Sequence, residues 1–432
     1  MAKRSSKTRV EEETAPAASG RGRRRRTPPP LSDGSERFEG GDILAEVEGE
    51  LGGLLWNSLR NATVWARATD EARAAMAVPE AAALRAADLE SIAPPDVIRA
   101  PLEAVAATLD RPAEVTAGEI SAACRSISEW ASAQGFKATA VDFMQAAALA
   151  MPSDASLAVT VGRLARWRAE YPRAESWFLF AVSESRRNGD WTSYARAFIG
   201  LGNLYGERGN LPAAKRAATQ ALRAAKRHSL REQEGMALHD LFVFAAHVNR
   251  VREADQYAAA AARVYGEGHP RLPRLAHDLA YLWLERGYHA DALPIFLALR
   301  PHTTGYREKF MLLSSIVRSA AGAGETELFE ETWEKAVAAI ADTGEAVAAA
   351  WLNMAYGAEL AGDMERAEGA ARKAFEVAEK TREGKLRLTA EALLERVTAG
   401  PREEEAERRP VRHVRGEDTA EEIVALLEMG VG

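Results

Sequence analysis

Three groups of residues in this chain have the types and the crowding that chemistry requires. In "GLGNLYGERGNLPAAKRAATQALRAAK", residues 200–226, the glycines Gly200, Gly202 and Gly206 stand close together ahead of a helical stretch, as in a loop that cradles phosphate. "ALHDLFVF" and "LAHDLAYL" carry His239-Asp240 and His277-Asp278, imidazole and carboxylate side by side, a donor set that suits zinc. "RGRRRR" gathers Arg21, Arg23, Arg24, Arg25 and Arg26, and clustered guanidiniums neutralise phosphates and release counterions. A fourth candidate is the single cysteine, Cys124.

The elements that must hold these residues decide among the uses. A dinucleotide loop needs a strand before its first glycine and a helix after it. Here Gly202 falls inside a helix and Gly206 just before its end, so backbone N–H groups there cannot be aimed at phosphate, and the glycines serve close helix approach instead. The two His-Asp pairs match no zinc-ligand frame, and C-x-x-C, H-E-x-x-H, G-x-S-x-G and the P-loop are all missing from the sequence. No metal, no cofactor and no catalysis are expected.

Composition agrees with a helical body. The chain of 432 residues is 47% hydrophobic but only 7% aromatic, so alanine supplies much of the apolar fraction; this favours closely packed helices over a sheet core. The formal charge of −7 is unevenly spread, because residues 1–30 hold nine Lys/Arg and three Glu, which leaves −13 on the rest. One cysteine allows no intramolecular disulfide and fits a reducing compartment. The basic N-terminus has no apolar segment behind it, and no run of about 18 apolar residues exists to span a bilayer. A cytoplasmic protein without a membrane span is expected.

Along the chain, residues 1–38 form a basic, Pro-rich tail with almost nothing apolar to bury, and disorder is expected there. Residues 41–117 read as several helices broken by Pro and Gly. Their apolar residues Leu54, Leu55, Trp56, Leu59, Val64 and Trp65 fall near helical spacing and are expected to pack on the helices just C-terminal to them. From 118 to 382 the chain repeats: a Gly, a small residue five positions on, and another seven further on. "GFKATAVDFMQAAALAMP", "GNLPAAKRAATQAL" and "GDMERAEGAARKAF" are the clearest copies. The central positions are 140, 174, 214, 254, 292, 329 and 367, spaced 34, 40, 40, 38, 37 and 38 residues apart. Each unit reads as two antiparallel helices, with the Gly ending the first in a left-handed conformation and the small residues where the helices cross. One such hairpin cannot bury its own apolar face, so neighbours must stack. A capping helix at 383–398, "KLRLTAEALLERV", is expected to cover the last unit through Leu386, Leu388, Leu393, Leu394 and Val397. A charged linker, 399–418, leads to a short amphipathic helix at 419–430, in which Thr419 and Glu422 have capping-box spacing ahead of Ile423, Val424, Leu426 and Leu427. So short a helix is marginal alone, and it is expected either to fold back into the protein's own groove as an autoinhibitory tail or to recruit a second protein.

These units resemble the tetratricopeptide repeat. In "FIGLGNLYGERGNLPAAKRAATQAL" Leu201, Gly202 and Tyr205 match its L-G-x-x-Y core, with Phe198 in the place of the family's Trp; "WLNMAYGAELAGDMERAEGAARKAF" matches through Trp351, Gly362, Ala367 and Ala374. Cys124 stands where Phe198 and Trp351 stand, which makes it a packing residue rather than a nucleophile. The resemblance covers roughly 260 residues and implies an all-α, right-handed solenoid of about seven helix-turn-helix repeats with a helical N-terminal cap, of a bacterial type with lengthened repeats. It further implies a concave groove carrying Arg163, Arg166, Trp167, Arg196, Asn203, His239, Arg274, His277, Tyr281 and Glu285. Guanidinium forks take carboxylates in pairs of bonds, and aromatic rings supply contact area at low entropy cost. The expected function is therefore a scaffold, adaptor or ligand-responsive regulator that binds a protein or peptide segment, of acidic character, in that groove. The family's clamp for chaperone C-termini is not evident, since only Asn203 partly fits it. Two other functions accord with the sequence: a nucleic-acid-associated regulator that uses the Arg-rich tail, and an enzyme with its site in the N-terminal helical region. The sequence does not fix the oligomeric state.

Overall fold

The computed structural model describes residues 41–343, 347–399 and 417–430, together with Pro28. The Arg-rich tail, and with it the expected nucleic-acid site at Arg21, Arg23, Arg24, Arg25 and Arg26, lies outside the described residues. Among the described residues there is no strand. Five helices form the N-terminal block: α1 (Gly41–Glu46), α2 (Gly49–Arg67), α3 (Asp70–Ala75), α4 (Ala82–Ile92) and α5 (Asp96–Asp110). Seven hairpins come next: α6 (Ala117–Gln134) with α7 (Lys137–Ala150), α8 (Ala155–Trp167) with α9 (Tyr171–Asn188), α10 (Trp191–Glu207) with α11 (Leu211–Arg227), α12 (Arg231–His247) with α13 (Val251–Tyr265), α14 (Leu272–Glu285) with α15 (His289–Ala298), α16 (Tyr306–Ala323) with α17 (Thr326–Thr343), and α18 (Ala348–Ala361) with α19 (Met364–Lys380). Two further helices are α20 (Gly384–Ala399) and α21 (Glu417–Met429).

The repeat pattern has direct structural causes. At the turn of every hairpin one residue has positive φ: Gly135, Gly209, Gly287, Gly324 and Gly362, but also Ala169 at 60° and Asn249 at 58°. At Ala169 the left-handed conformation costs on the order of 1 kcal/mol that glycine would avoid, and the hairpin closes nonetheless. The next helix is then capped locally where the sequence supplies an acceptor. Asn210 accepts from the N–H of Ala213 at 3.2 Å and Asp363 from that of Arg366 at 2.9 Å. The small residues five positions after each turn, Ala140, Ala174, Ala214, Ala254, Ala292 and Ala367, are buried, as is Phe329 in the sixth unit. So are Ala147, Ala181, Ala221, Ala261, Ala336 and Ala374 seven residues later. The fifth unit departs: Pro294 lies inside α15, the helix has only 10 residues, and Leu299 takes the last crossing position just beyond its end.

The N-terminal block covers the first hairpin. Ile43, Leu55, Leu59, Trp65, Ile98 and Leu102 join Ile120, Cys124, Ile127 and Phe143 in one core. Val64 does not take part and is exposed. α7 has no capping side chain of its own, since Phe136 precedes it. Glu46 supplies one from a distance, accepting the N–H of Ala138 at 2.7 Å and that of Thr139 at 2.9 Å. At the other end α20 packs on α19 and α18 with Leu393 and Val397 buried and Leu388 exposed, so Leu388 belongs to the solvent face of that helix and not to the cover.

Four of the six successive pairs of first helices pack on one another, α8 on α10, α10 on α12, α14 on α16 and α16 on α18, whereas successive second helices scarcely meet. An array packed more tightly along one row of helices curves toward that row, so the first helices line the inner face. Contrary to the expectation of a fold-back into the inner groove, α21 lies on the opposite side, where the second helices offer it an apolar surface. It packs on the second helices α13 and α15 and touches α14, burying Ala420, Ile423 and Leu427. Thr419 is already inside α21, which begins at Glu417, so the capping-box spacing is not used as one. Glu422 instead accepts two bonds from Arg263, at 2.7 and 2.8 Å.

Candidate functional site

The inner face is built from side chains one repeat apart. Along it runs a series of polar bridges between neighbouring first helices. Arg166 on α8 pairs with Glu207 on α10. Asn203 on α10 donates to Asp240 on α12 at 3.3 Å. His239 on α12 meets Asp278 on α14 at 3.2 Å, and Arg274 donates to the same carboxylate oxygen at 3.0 Å. Glu285 on α14 pairs with Arg318 on α16, which also donates to Asn353 on α18 at 3.0 Å and lies over the Tyr356 ring, 4.6 Å from its centre. Finally Arg396 on α20 holds both oxygens of Glu359 on α18 at 2.7 Å.

The ten candidate residues therefore divide. His239, Arg274 and His277 gather round Asp278, with His277 Nδ1 3.6 Å from it and its ring stacked on Tyr281. Burial raises the Asp278 pKa, but the hydrogen bonds from His239 and His277 and the charge of Arg274 hold it well below the usual carboxylate range. Glu285 is engaged by Arg318. Asp240, with only the amide of Asn203 as a hydrogen-bonding partner and the more distant charge of Arg166, is pushed by desolvation up to about 7. Among the described residues no group of three or more His, Cys, Asp or Glu is placed to hold a metal ion.

Arg163, Arg166, Trp167 and Arg196 form a different arrangement at the α8–α10 end. Arg163 stacks on Trp167, its guanidinium 5.2 Å from the ring centre. Burial, then the charges of Arg196 and Arg166, hold the Arg163 pKa below its usual value. Arg166 is shared with Glu207 and its Nε is buried without a hydrogen-bond partner. Neither Arg163 nor Arg196 makes an ion pair within the described residues. Trp167 is 61% exposed, which is unusual for so large an apolar ring. Arg163 and Arg196, beside an open indole and without an ion-pair partner among the described residues, can accept a carboxylate or phosphate.

Sequence reasoning missed Asn353 and Arg396 as members of the inner row. The signal was a complementary partner one repeat away: Asn353 lies 35 residues after Arg318, and Arg396 37 after Glu359. The glycines of residues 200–206 all lie within α10. A Cβ on Gly200 would fall 2.3 Å from the ring of Phe178 and one on Gly206 2.9 Å from that of Phe244, so both are sites of close packing. Cys124 is buried and its thiol pushed up to about 12 by desolvation, which leaves no thiolate at neutral pH.

The described residues thus form an all-α array of stacked helix hairpins. No family model and no curated protein matches the chain. Among solved structures it is similar to a tetratricopeptide repeat protein from Parabacteroides merdae (17% identity, 65% of this chain and 99% of that one, TM-score 0.44). It is also similar to BtubC (BKLC) from P. vanneervenii (15% identity, 52% and 92%, TM-score 0.41). A putative kinesin light chain from Podospora anserina with nearly identical TPR-like repeats shares 15% identity over 45% of this chain and 98% of that one, with a TM-score of 0.38. No helix among the described residues is long and apolar enough to cross a membrane.

Proposed function

We propose that the chain is a non-catalytic interaction module whose inner groove takes an acidic peptide segment at Arg163, Arg166 and Arg196, with Trp167 as its apolar platform. The observation that supports this is the imbalance along the inner face. From Asn203 to Arg396 a series of bridges joins neighbouring first helices, whereas Arg163 and Arg196, near enough for the charge of one to act on the other, have no ion-pair partner among the described residues. Burial, and after it the charges of Arg196 and Arg166, lower the Arg163 pKa, and a ligand carboxylate bound by charge-assisted bonds would offset both.

The test is selection of random displayed peptides on the full chain, followed by calorimetry with the enriched sequences. Asp and Glu are expected to dominate the selected positions. Replacing Arg163 and Arg196 together by Ala should weaken the selected peptides by more than tenfold, since a hydrogen bond to a charged group contributes about 1.5–3 kcal/mol. Selection without acidic bias, or affinity that survives the double replacement, would refute the assignment.

A further inference from the structure

The position of α21 gives meaning to two clefts elsewhere on the outer face. It fills the space between the second helices α13 and α15, over α14. One repeat earlier, α11, the end of α12 and the α12–α13 turn enclose an open cleft of about 640 Å3. Its floor and walls are Leu211, Phe244, Ala245 and Val248, with Val248 46% exposed. Lys215, Arg216, Arg223 and Arg250 line its rim, with Glu253 beside Lys215 and Arg250. A comparable cleft lies one repeat earlier again, between α9 and α11, but it is lined by Glu175 as well as Arg208 and Arg216.

One basic residue of the α11 cleft stands in register with the arginine that holds α21. Arg263, which clamps Glu422, stands two residues after the crossing alanine Ala261 of α13. Arg223 stands two residues after the equivalent Ala221 of α11. Lys215 is engaged by Glu253 and Arg250 lies 3.3 Å from the same carboxylate. Arg216 and Arg223 are left without an ion-pair partner within the described residues. α21 itself shows what fits such a slot: a short helix with Ala420, Ile423 and Leu427 on one face, Glu422 beside them, acidic residues at Asp418, Glu421 and Glu428, and no Lys or Arg.

We infer that the cleft between α11 and the α12–α13 turn is a second docking site, on the outer face, for an acidic amphipathic helix of a partner protein. Apolar residues spaced as in α21 enter between Leu211, Phe244 and Val248, and a carboxylate one turn away takes Arg223 as Glu422 takes Arg263. The occupant comes from another chain, because this chain's own α21 already sits on α13 and α15. The site is independent of the inner groove, which faces the other way.

The probe is a fluorescein-labelled peptide with the sequence of residues 417–430, titrated by anisotropy against the full chain. It is expected to bind one to one, and to weaken at least tenfold in the Arg216→Glu, Arg223→Glu double variant. Both residues are on the rim, and an unchanged circular dichroism spectrum confirms that the variant is folded. Binding should be unaltered by Arg163→Ala with Arg196→Ala, which separates this site from the inner groove. No binding to the full chain, or binding only after deletion of 417–432, would mean that the peptide fits the α13–α15 slot alone and overturns the inference. Self-association of the full chain that is lost in the Arg216→Glu, Arg223→Glu variant would give the cleft to a second copy and equally overturn it.

Discussion

Gly200 offers a test of packing in which one chemical change has opposite signs at two places. A methyl group at Gly200 would lie 2.3 Å from Cε1 of Phe178, well inside contact distance. The ring cannot retreat: it is fully buried, and its Cδ1 and Cε1 already stand 2.7 Å from where a Cβ on Gly162 would be. Two glycines on neighbouring first helices thus make the slot that the ring fills. Overpacking of this kind costs about 1–3 kcal/mol, and the overlap places it at the upper end. Replacing a mid-helix Gly by Ala returns about 1 kcal/mol in backbone entropy and solvation. The Gly200→Ala variant should therefore lose about 1–2 kcal/mol. Gly369, exposed in α19, has nothing within 4 Å of its would-be Cβ, so Gly369→Ala should gain about 1 kcal/mol. Urea unfolding followed by circular dichroism measures both as shifts of midpoint. A midpoint for Gly200→Ala that rises alongside that of Gly369→Ala would refute the packing role of the glycines.

Two further outcomes rest on the same geometry. Replacing Ala214 or Ala367 by Leu should cost about 1–3 kcal/mol, because both are fully buried at helix crossings; thermal unfolding unchanged in either variant would show the crossing register to be wrong. Asp240 has its folded pKa raised by desolvation to about 7, above the roughly 3.9 of an unfolded chain. The folded state then binds the extra proton between these values, and stability falls as pH rises from about 4 to about 7. Asp240→Asn should flatten that part of the stability profile and leave the variant more stable than the parent at pH 8, as measured by urea midpoints across pH; a profile identical to the parent's would contradict the buried carboxylate.

What the sequence made legible was local and periodic. The turn glycines and crossing alanines lie at fixed offsets, and a left-handed turn or a close helix crossing restricts residue type strongly enough to leave a trace. Where the fold tolerates another residue the trace weakens, as at Ala169 and Asn249, which hold the same turn with a Cβ. Contacts between distant segments left little. Glu46 caps α7 from 92 residues away, and Glu422 meets Arg263 across 159. In the sequence Glu422 looks like half of a capping box because the spacing to Thr419 is right, but the helix begins three residues earlier than that spacing requires. Val64 and Leu388 show the limit of counting apolar residues on a helix, since a stripe wider than its partner leaves its edge in solvent. The inner-face residues were identifiable one by one from repeat register. Their division into a bridged stretch and an unpaired Arg163–Arg196 end depends on side-chain distances that register alone does not contain.

The most direct measurement of the groove assignment is a charge exchange. An acidic peptide selected on the parent chain is compared with its twin in which Lys replaces each Glu and Asp, against the parent and against an Arg163→Glu, Arg196→Glu variant, by calorimetry. The acidic peptide is expected to bind the parent and lose at least tenfold on the variant, while the Lys twin binds the variant and not the parent. Equal binding of the acidic peptide to both proteins, with no gain by the twin on the variant, would contradict an acidic-peptide groove at Arg163 and Arg196.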